Sequence, residues 1–243
     1  MHLIKAILLS SLLSIASKSV IGQAAIIAAI FGDKVASERF NLSLELGVPF
    51  SQISNMDNIK TRIGINFGIA GNIKLSKNWY LAPTAYFLSS KRIQMESYSL
   101  ISEDENLNAL YQNVKTDMTI KYIDVPVFVH FMPNHSNFKF GLAPQISFRQ
   151  KAANTFHGDL GDFKQSIKDE INKTDYGMKM SAGYYFKKAL NGKGMVVSIR
   201  YYQGFSDVLK NNYFDGKNKI SHFSFQLSLP FITSDLQQKK LKN

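Results

Sequence analysis

Residues 62–75 read RIGINFGIAGNIKL, with Ile63, Ile65, Phe67, Ile69, Ile73 and Leu75 at odd positions. Arg62, Gly64, Asn66, Gly68, Ala70, Asn72 and Lys74 stand at the even ones. Side chains of a strand alternate between its two faces, so this stretch has one apolar face and one small-or-polar face. It exceeds both the roughly 5–6 residues of an ordinary soluble strand and the roughly 9–11 tilted residues that cross a bilayer.

The same alternation returns over residues 40–50, 79–94, 119–132, 137–150, 174–187, 194–206 and 220–232. That makes eight segments. The connections are alternately long and short: 51–60, 95–117, 151–173 and 208–219 are long and polar, whereas 76–78, 133–136 and 189–193 are tight. An even strand number with short turns at one end and longer loops at the other is the pattern of a transmembrane barrel. The expected fold is all-β, an eight-stranded antiparallel up-and-down transmembrane β-barrel over residues 40–232. Both termini and the tight turns are expected in the periplasm, with the long loops outside.

Three features turn the apolar face outward. The other face carries Gly64, Gly68, Ala70, Gly141, Ala143 and Gly183, small residues that suit the tight lumen of an eight-stranded barrel. It also carries Tyr86, Tyr122, Tyr185 and Tyr202, which are out of place on a solvent surface. The third feature is the leader. Lys5 precedes an apolar run over 6–16, and Gly22 offers a small residue before Gln23, so residues 1–22 read as a secretory signal peptide. Residues 23–39 are expected to form an N-terminal periplasmic segment, whose apolar run AAIIAAIF at 24–31 either extends the signal or forms a short helix ending near Gly32, and 233–243 form a polar C-terminal tail. These features place the protein in the outer membrane of a Gram-negative bacterium after signal cleavage. A soluble, lipocalin-like ligand-binding barrel is the alternative, and a lipid-modifying outer-membrane enzyme a weaker one.

Composition excludes several classes. No apolar run reaches the roughly 18 residues of a transmembrane helix. The net charge of +11 comes from scattered Lys and Arg, with no basic helix face or groove, so nucleic acid is not an expected partner. Cysteine is absent, which removes disulfides, thiolate metal sites, a Cys nucleophile and a lipidated Cys. Pro49, Pro83, Pro126, Pro144 and Pro230 fall inside strand segments, where bulges or strand ends are expected to absorb them.

Four segments carry a family resemblance: WYLAPTAYFLSSKR at 79–92, YIDVPVFVHF at 122–131, FKFGLAPQISF at 138–148 and DYGMKMSAGYYF at 175–186. They resemble the PorT-like outer-membrane β-barrel proteins of Bacteroidetes. The second segment, an aromatic and an acidic residue before Pro and an aliphatic run, is the most telling. The chain departs from that family's pattern in its polar tail after Phe231. The resemblance implies an integral outer-membrane protein, with a possible accessory role in protein secretion.

The candidate site is a lumen charge network of Glu45, Arg62, Lys74, Asp124, Lys139, Arg149, Lys179 and Arg200, all placed inward by alternation. In so narrow a barrel these charges are expected to pair and rigidify rather than conduct. His130 and His222 also fall inward, His135 lies in a tight turn, and His157 lies near Asp159 and Asp162 in the longest loop. None of these supplies a nucleophile, base and orienter together. No catalytic residue, cofactor site or metal site is assigned. The expected partners are outer-membrane lipid and proteins that meet the outside loops or the periplasmic end.

Overall fold

The computed structural model describes residues 39–56, 58–190, 192–210 and 217–232. The signal peptide, nearly all of the N-terminal segment and the polar tail lie outside the described residues. The strands are β1 (Phe40–Ile53), β2 (Ile59–Arg62), β3 (Asn66–Lys74), β4 (Trp79–Tyr98), β5 (Val114–Phe131), β6 (Phe138–Gly158), β7 (Gly161–Ser166), β8 (Thr174–Phe186), β9 (Met195–Gly204) and β10 (Ile220–Ile232). One helical turn, α1 (Glu105–Leu110), joins β4 to β5, with Asp104 capping it by accepting from the Asn106 and Leu107 amides.

Antiparallel ladders run β1–β3–β4–β5–β6–β8–β9–β10, and β10 pairs back onto β1 from Leu42↔Ile232 to Ile53↔Ile220. The ring therefore has eight staves. β2 continues the β3 stave against β4, and β7 folds back on β6 outside the ring. Closure satisfies the backbone of every stave, which a bilayer demands because it offers no water to a free edge.

The distribution of polarity is that of a soluble protein turned inside out. Ile199 is 53% exposed and Phe225 58%, whereas Asp124 is 0% and Lys179 1% exposed. The apolar face of every stave is turned out, as alternation requires of a barrel in lipid. The soluble-barrel alternative fails here, since it would place these aliphatic and aromatic side chains inside.

Two stretches expected as loops are strand instead. β4 and β5 run on to Tyr98 and from Val114, while β6 continues to Gly158 and turns back as β7. The cause is apolar side chains that those stretches can bury. Leu100, Tyr111 and Phe156 pack together with Tyr98, Leu107, Val114 and Phe163 against them. The long-loop end thus carries an ordered platform.

The prolines are handled less uniformly than expected. Pro230 sits beside the register shift at Leu42/Ser43, as a bulge would place it. Pro83, Pro126 and Pro144 lie together on β4, β5 and β6, where registers are kept but the ladders skip. β4–β5 pairing passes from Pro83↔Val127 to Tyr86↔Asp124, and β5–β6 pairing from Pro126↔Gln145 to Val129↔Leu142. A missing N–H is absorbed by a local opening instead of an inserted residue.

Phe67, Leu46 and Leu227 are cross-strand neighbours on the lipid face, and Asn66 faces inward at 1% exposure. Phe67→Arg or Leu227→Arg is expected to cost about 2–4 kcal/mol at mid-membrane depth, read as a lowered urea midpoint in lipid vesicles. Asn66→Arg fails differently, by overpacking the lumen, so the folded band on a heat-modifiability gel should be lost.

Candidate functional site

The lumen is built from the inward positions of all eight staves. Near the short-turn end Glu45 on β1 meets Arg200 on β9, Nη2 to Oε2 at 2.9 Å, with Ser43 donating to the other carboxylate oxygen at 3.1 Å. Arg200 also donates to the Tyr86 hydroxyl and lies over the Phe128 ring at 4.8 Å. A second pair follows along the axis. Lys91 Nζ is 2.7 Å from Asp124 Oδ2, and Ser89 donates to the same oxygen at 2.6 Å while the Lys91 ammonium donates to Ser89 Oγ at 2.7 Å. Among the described residues Lys179 has no ion pair; its ammonium sits over the Tyr86 ring at 5.2 Å and the Tyr202 ring at 5.8 Å. Tyr202 donates in turn to Asp175 at 2.8 Å.

Little space remains between them. The gap among Glu45, His130, Lys139 and Arg200 leaves about 10 Å³ open to the centre of a water molecule, room for about one water. Toward the long-loop end the filling changes character. Ile53, Ile93, Met118, Ile120 and Ile220 point inward and meet Ile167, Ile171, Val208 and Leu209 from the connecting segments. The space around Lys91, Ile93, Met118 and Ile220 admits no water centre at all. A polar, ion-paired lumen is thus closed at one end by an apolar plug.

Of the eight residues assigned to the network, Glu45, Asp124, Lys179 and Arg200 are brought together, and Lys139 lines the gap with its ammonium 5.9 Å from the Tyr80 ring. Lys74 is exposed at the end of β3. Arg149 is half-buried, with Nε and Nη1 shut away from solvent and without a hydrogen-bond partner among the described residues. Arg62 is a correction: it lies on the outer flank, its Nε 3.7 Å from Asp117, with its side chain 47% exposed. The stave breaks between Arg62 and Asn66, which shifts the alternation. Gly64 permits that break, since a Cβ there would fall 2.0 Å from the Ser90 carbonyl oxygen.

Lys91 is the member that alternation missed. Tyr86 and Lys91 have opposite parity, yet both point inward, because the β3 and β4 registers slip around a bulge between Tyr86 and Ser89. The run Ser89-Ser90-Lys91, two small polar residues beside a charge within an apolar strand, was the available clue.

Among the described residues the histidines are separated, and no nucleophile, base and orienter come together on them. His130 stacks on Phe128 and His222 packs at 5.0 Å against Tyr202, both inside the lumen. His157 has Asp162 at 2.8 Å on Nδ1 and Asp117 at 3.7 Å on Nε2, so both ring nitrogens face carboxylates and no nucleophile stands against either. Asp159 takes no part in that cluster.

The Lys91–Asp124 pair yields a test. Asp124→Asn leaves a buried ammonium uncompensated and is expected to cost about 3–5 kcal/mol in vesicle-reconstituted unfolding. Replacing both partners, Lys91→Met with Asp124→Leu, should recover most of that loss. An equal loss in the double variant would mean that the pair does not carry the interaction.

Known structures give the fold some company. Ail, the attachment invasion locus protein of Yersinia pestis, aligns at 13% identity over 80% of this chain and 100% of its own, with a TM-score of 0.42. Neisserial surface protein A aligns at 14% identity over 79% of this chain and 97% of its own, also with a TM-score of 0.42. The N-terminal β-barrel domain of Pseudomonas aeruginosa OprF aligns at 9% identity over 77% and 97%, with a TM-score of 0.29. No curated protein sequence matches the chain. The family model of the outer membrane protein beta-barrel domain matches residues 30–210, so the closed, inside-out ring described above belongs to that family and is an outer-membrane protein.

Proposed function

We propose that this barrel is a closed, non-catalytic membrane anchor that holds its long-loop platform outside the cell for a protein partner. The observation that carries the reading is the double closure of the lumen beneath an ordered platform. Ion pairs fill the membrane-level interior and the aliphatic plug caps it; among the described residues the gap beside the ion pairs has room for about one water and the gap at the plug for none. What remains available for function is the platform. Its tip exposes Ile101 at 72%, Leu110 at 52% and Leu160 at 79%, large apolar side chains presented on strand-supported connections. Exposed apolar residues on a rigid support suit docking of another protein. The PorT-like resemblance adds a role accessory to protein secretion and a Bacteroidetes origin. In this reading residues 1–22 are removed as a signal peptide, and residues 23–39 and 233–243 remain on the periplasmic side.

Two measurements test it. Because the chain has no cysteine, a single one can be placed at will. Leu160→Cys is expected to react with a membrane-impermeant maleimide on intact cells, and Ser76→Cys to react only after the outer membrane is broken. The opposite pattern would invert the barrel and overturn the anchor reading. Purified protein in a planar bilayer should show no steady conductance of porin size, and a reproducible open state of that size would mean that the lumen is not closed.

A further inference from the structure

Above its apolar band one side of the barrel's outer flank carries a cluster of cations at the rung that borders the apolar residues. In the β2–β4 ladder Arg62 stands opposite Arg92, and in the β5–β6 ladder Lys121 stands opposite Lys151. In the β4–β5 ladder between them Arg92 faces Thr119 and Ser90 faces Lys121, so the two like-charged pairs are neighbours on consecutive staves. Like charges directly opposite on a sheet repel each other. Asp117 answers the two arginines and neither lysine. Asp117 accepts from Gln94 at 2.9 Å and reaches Arg92 Nη2 at 3.4 Å and Arg62 Nε at 3.7 Å. Lys121 and Lys151 are exposed and, among the described residues, pair with no carboxylate.

The residues just below are apolar. Ile123 pairs with Phe148, which is 40% exposed, and Ile63 and Ile65 are 58% and 57% exposed on the stave beyond β4. On the opposite flank the residues two positions above Phe50, Phe223 and Tyr201 are Gln52, Ser221 and Gln203, which are uncharged. The cations therefore stand where a headgroup must lie if the tails cover Ile123 and Phe148. A phosphate offers three acceptor oxygens and up to two charges, enough to bridge two ammonium groups and a guanidinium.

We propose that Lys121, Lys151 and Arg92 form a site for the phosphate monoester headgroup of a membrane lipid, its tails lying on Ile123 and Phe148. The proposal rests on the membrane-anchor reading, and on the outward direction of the platform only for the choice of leaflet. Binding in detergent does not depend on that direction, so this test and the cysteine-labelling test fail separately.

Native mass spectrometry of the full-length barrel in a non-ionic detergent, titrated with dioctanoyl phosphatidic acid, provides the measurement. Dioctanoylglycerol, with the same tails and no phosphate, should bind at least tenfold more weakly. Lys121→Gln with Lys151→Gln should weaken phosphatidic acid about thirtyfold, from about 1 kcal/mol for each lysine. Lys187→Gln with Lys188→Gln removes two exposed charges at the far end and should change nothing. Equal binding of the two lipids, no loss in the Lys121/Lys151 variant, or an equal loss in the Lys187/Lys188 variant would overturn the site. Full displacement by equimolar inorganic phosphate would also overturn it, by making it a free-anion site. If the Lys121/Lys151 variant gives no folded band on the gel, the comparison of the two lipids on the unaltered protein decides alone.

Discussion

Ring closure is the constraint on which the rest of the structure depends. In hydrocarbon an unpaired backbone amide costs several kcal/mol, so a sheet can cross the membrane only when its last strand meets its first. Here β10 meets β1 along nearly the full length of both strands. Once the ring is shut at eight staves its diameter is set, and the lumen is only wide enough for side chains to fill. Every inward residue must then fit its neighbours, which is why residues such as Gly68 and Gly141 alternate with Tyr86, Arg200 and Lys179. At Gly68 a Cβ would fall 2.3 Å from the Ala85 carbonyl oxygen, and at Gly141 one would fall 2.3 Å from His130 Nδ1.

That confinement also explains the form the interior charges take. An ion taken from water into such a space loses several kcal/mol of solvation unless a partner replaces it. Lys91–Asp124 and Arg200–Glu45 are each supported by neighbouring hydroxyls from Ser89, Ser43 and Tyr86. Lys179 lies between two tyrosine rings instead, where the ring faces supply the negative potential. Such pairs add little net stability compared with an apolar filling, but they fix one arrangement, since breaking either leaves an orphaned charge.

Much of this was legible in the sequence because the period of a strand is two. Alternation alone placed Glu45, Asp124, Lys179, Arg200 and the tyrosines Tyr86, Tyr122 and Tyr202 inside. It failed wherever the period slips. The bulge after Tyr86 turned Lys91 inward and Arg92 outward, and the break at residues 63–65 turned Arg62 out onto Asp117. Such slips come from close backbone contacts between strands distant in sequence, as at Gly64 against Ser90, and one strand read alone does not contain them. The platform was missed for another reason. Its strands alternate less regularly, and the residues that fasten it, such as Leu100, Tyr111 and Phe156, are scattered among polar ones.

The plug follows from where water is. At membrane depth the alternative to burying an apolar side chain in the lumen is to place it in lipid, which is equally apolar, so the hydrophobic effect gives no preference for the inside. Polar groups, by contrast, cannot face lipid and must turn in. Above the band the outside medium is water, and both preferences reverse at the same height. Asp117, Thr119 and Lys121 face out there, while Ile93, Met118 and Ile120 face in. The reversal recurs on the far wall, where Gln52 and Ser221 face out beside inward Ile53 and Ile220. One chain thus obeys two opposite burial rules along the same strands. The switch marks the membrane boundary from inside the barrel as clearly as the apolar band marks it from outside, and it falls on the same rung as the basic patch.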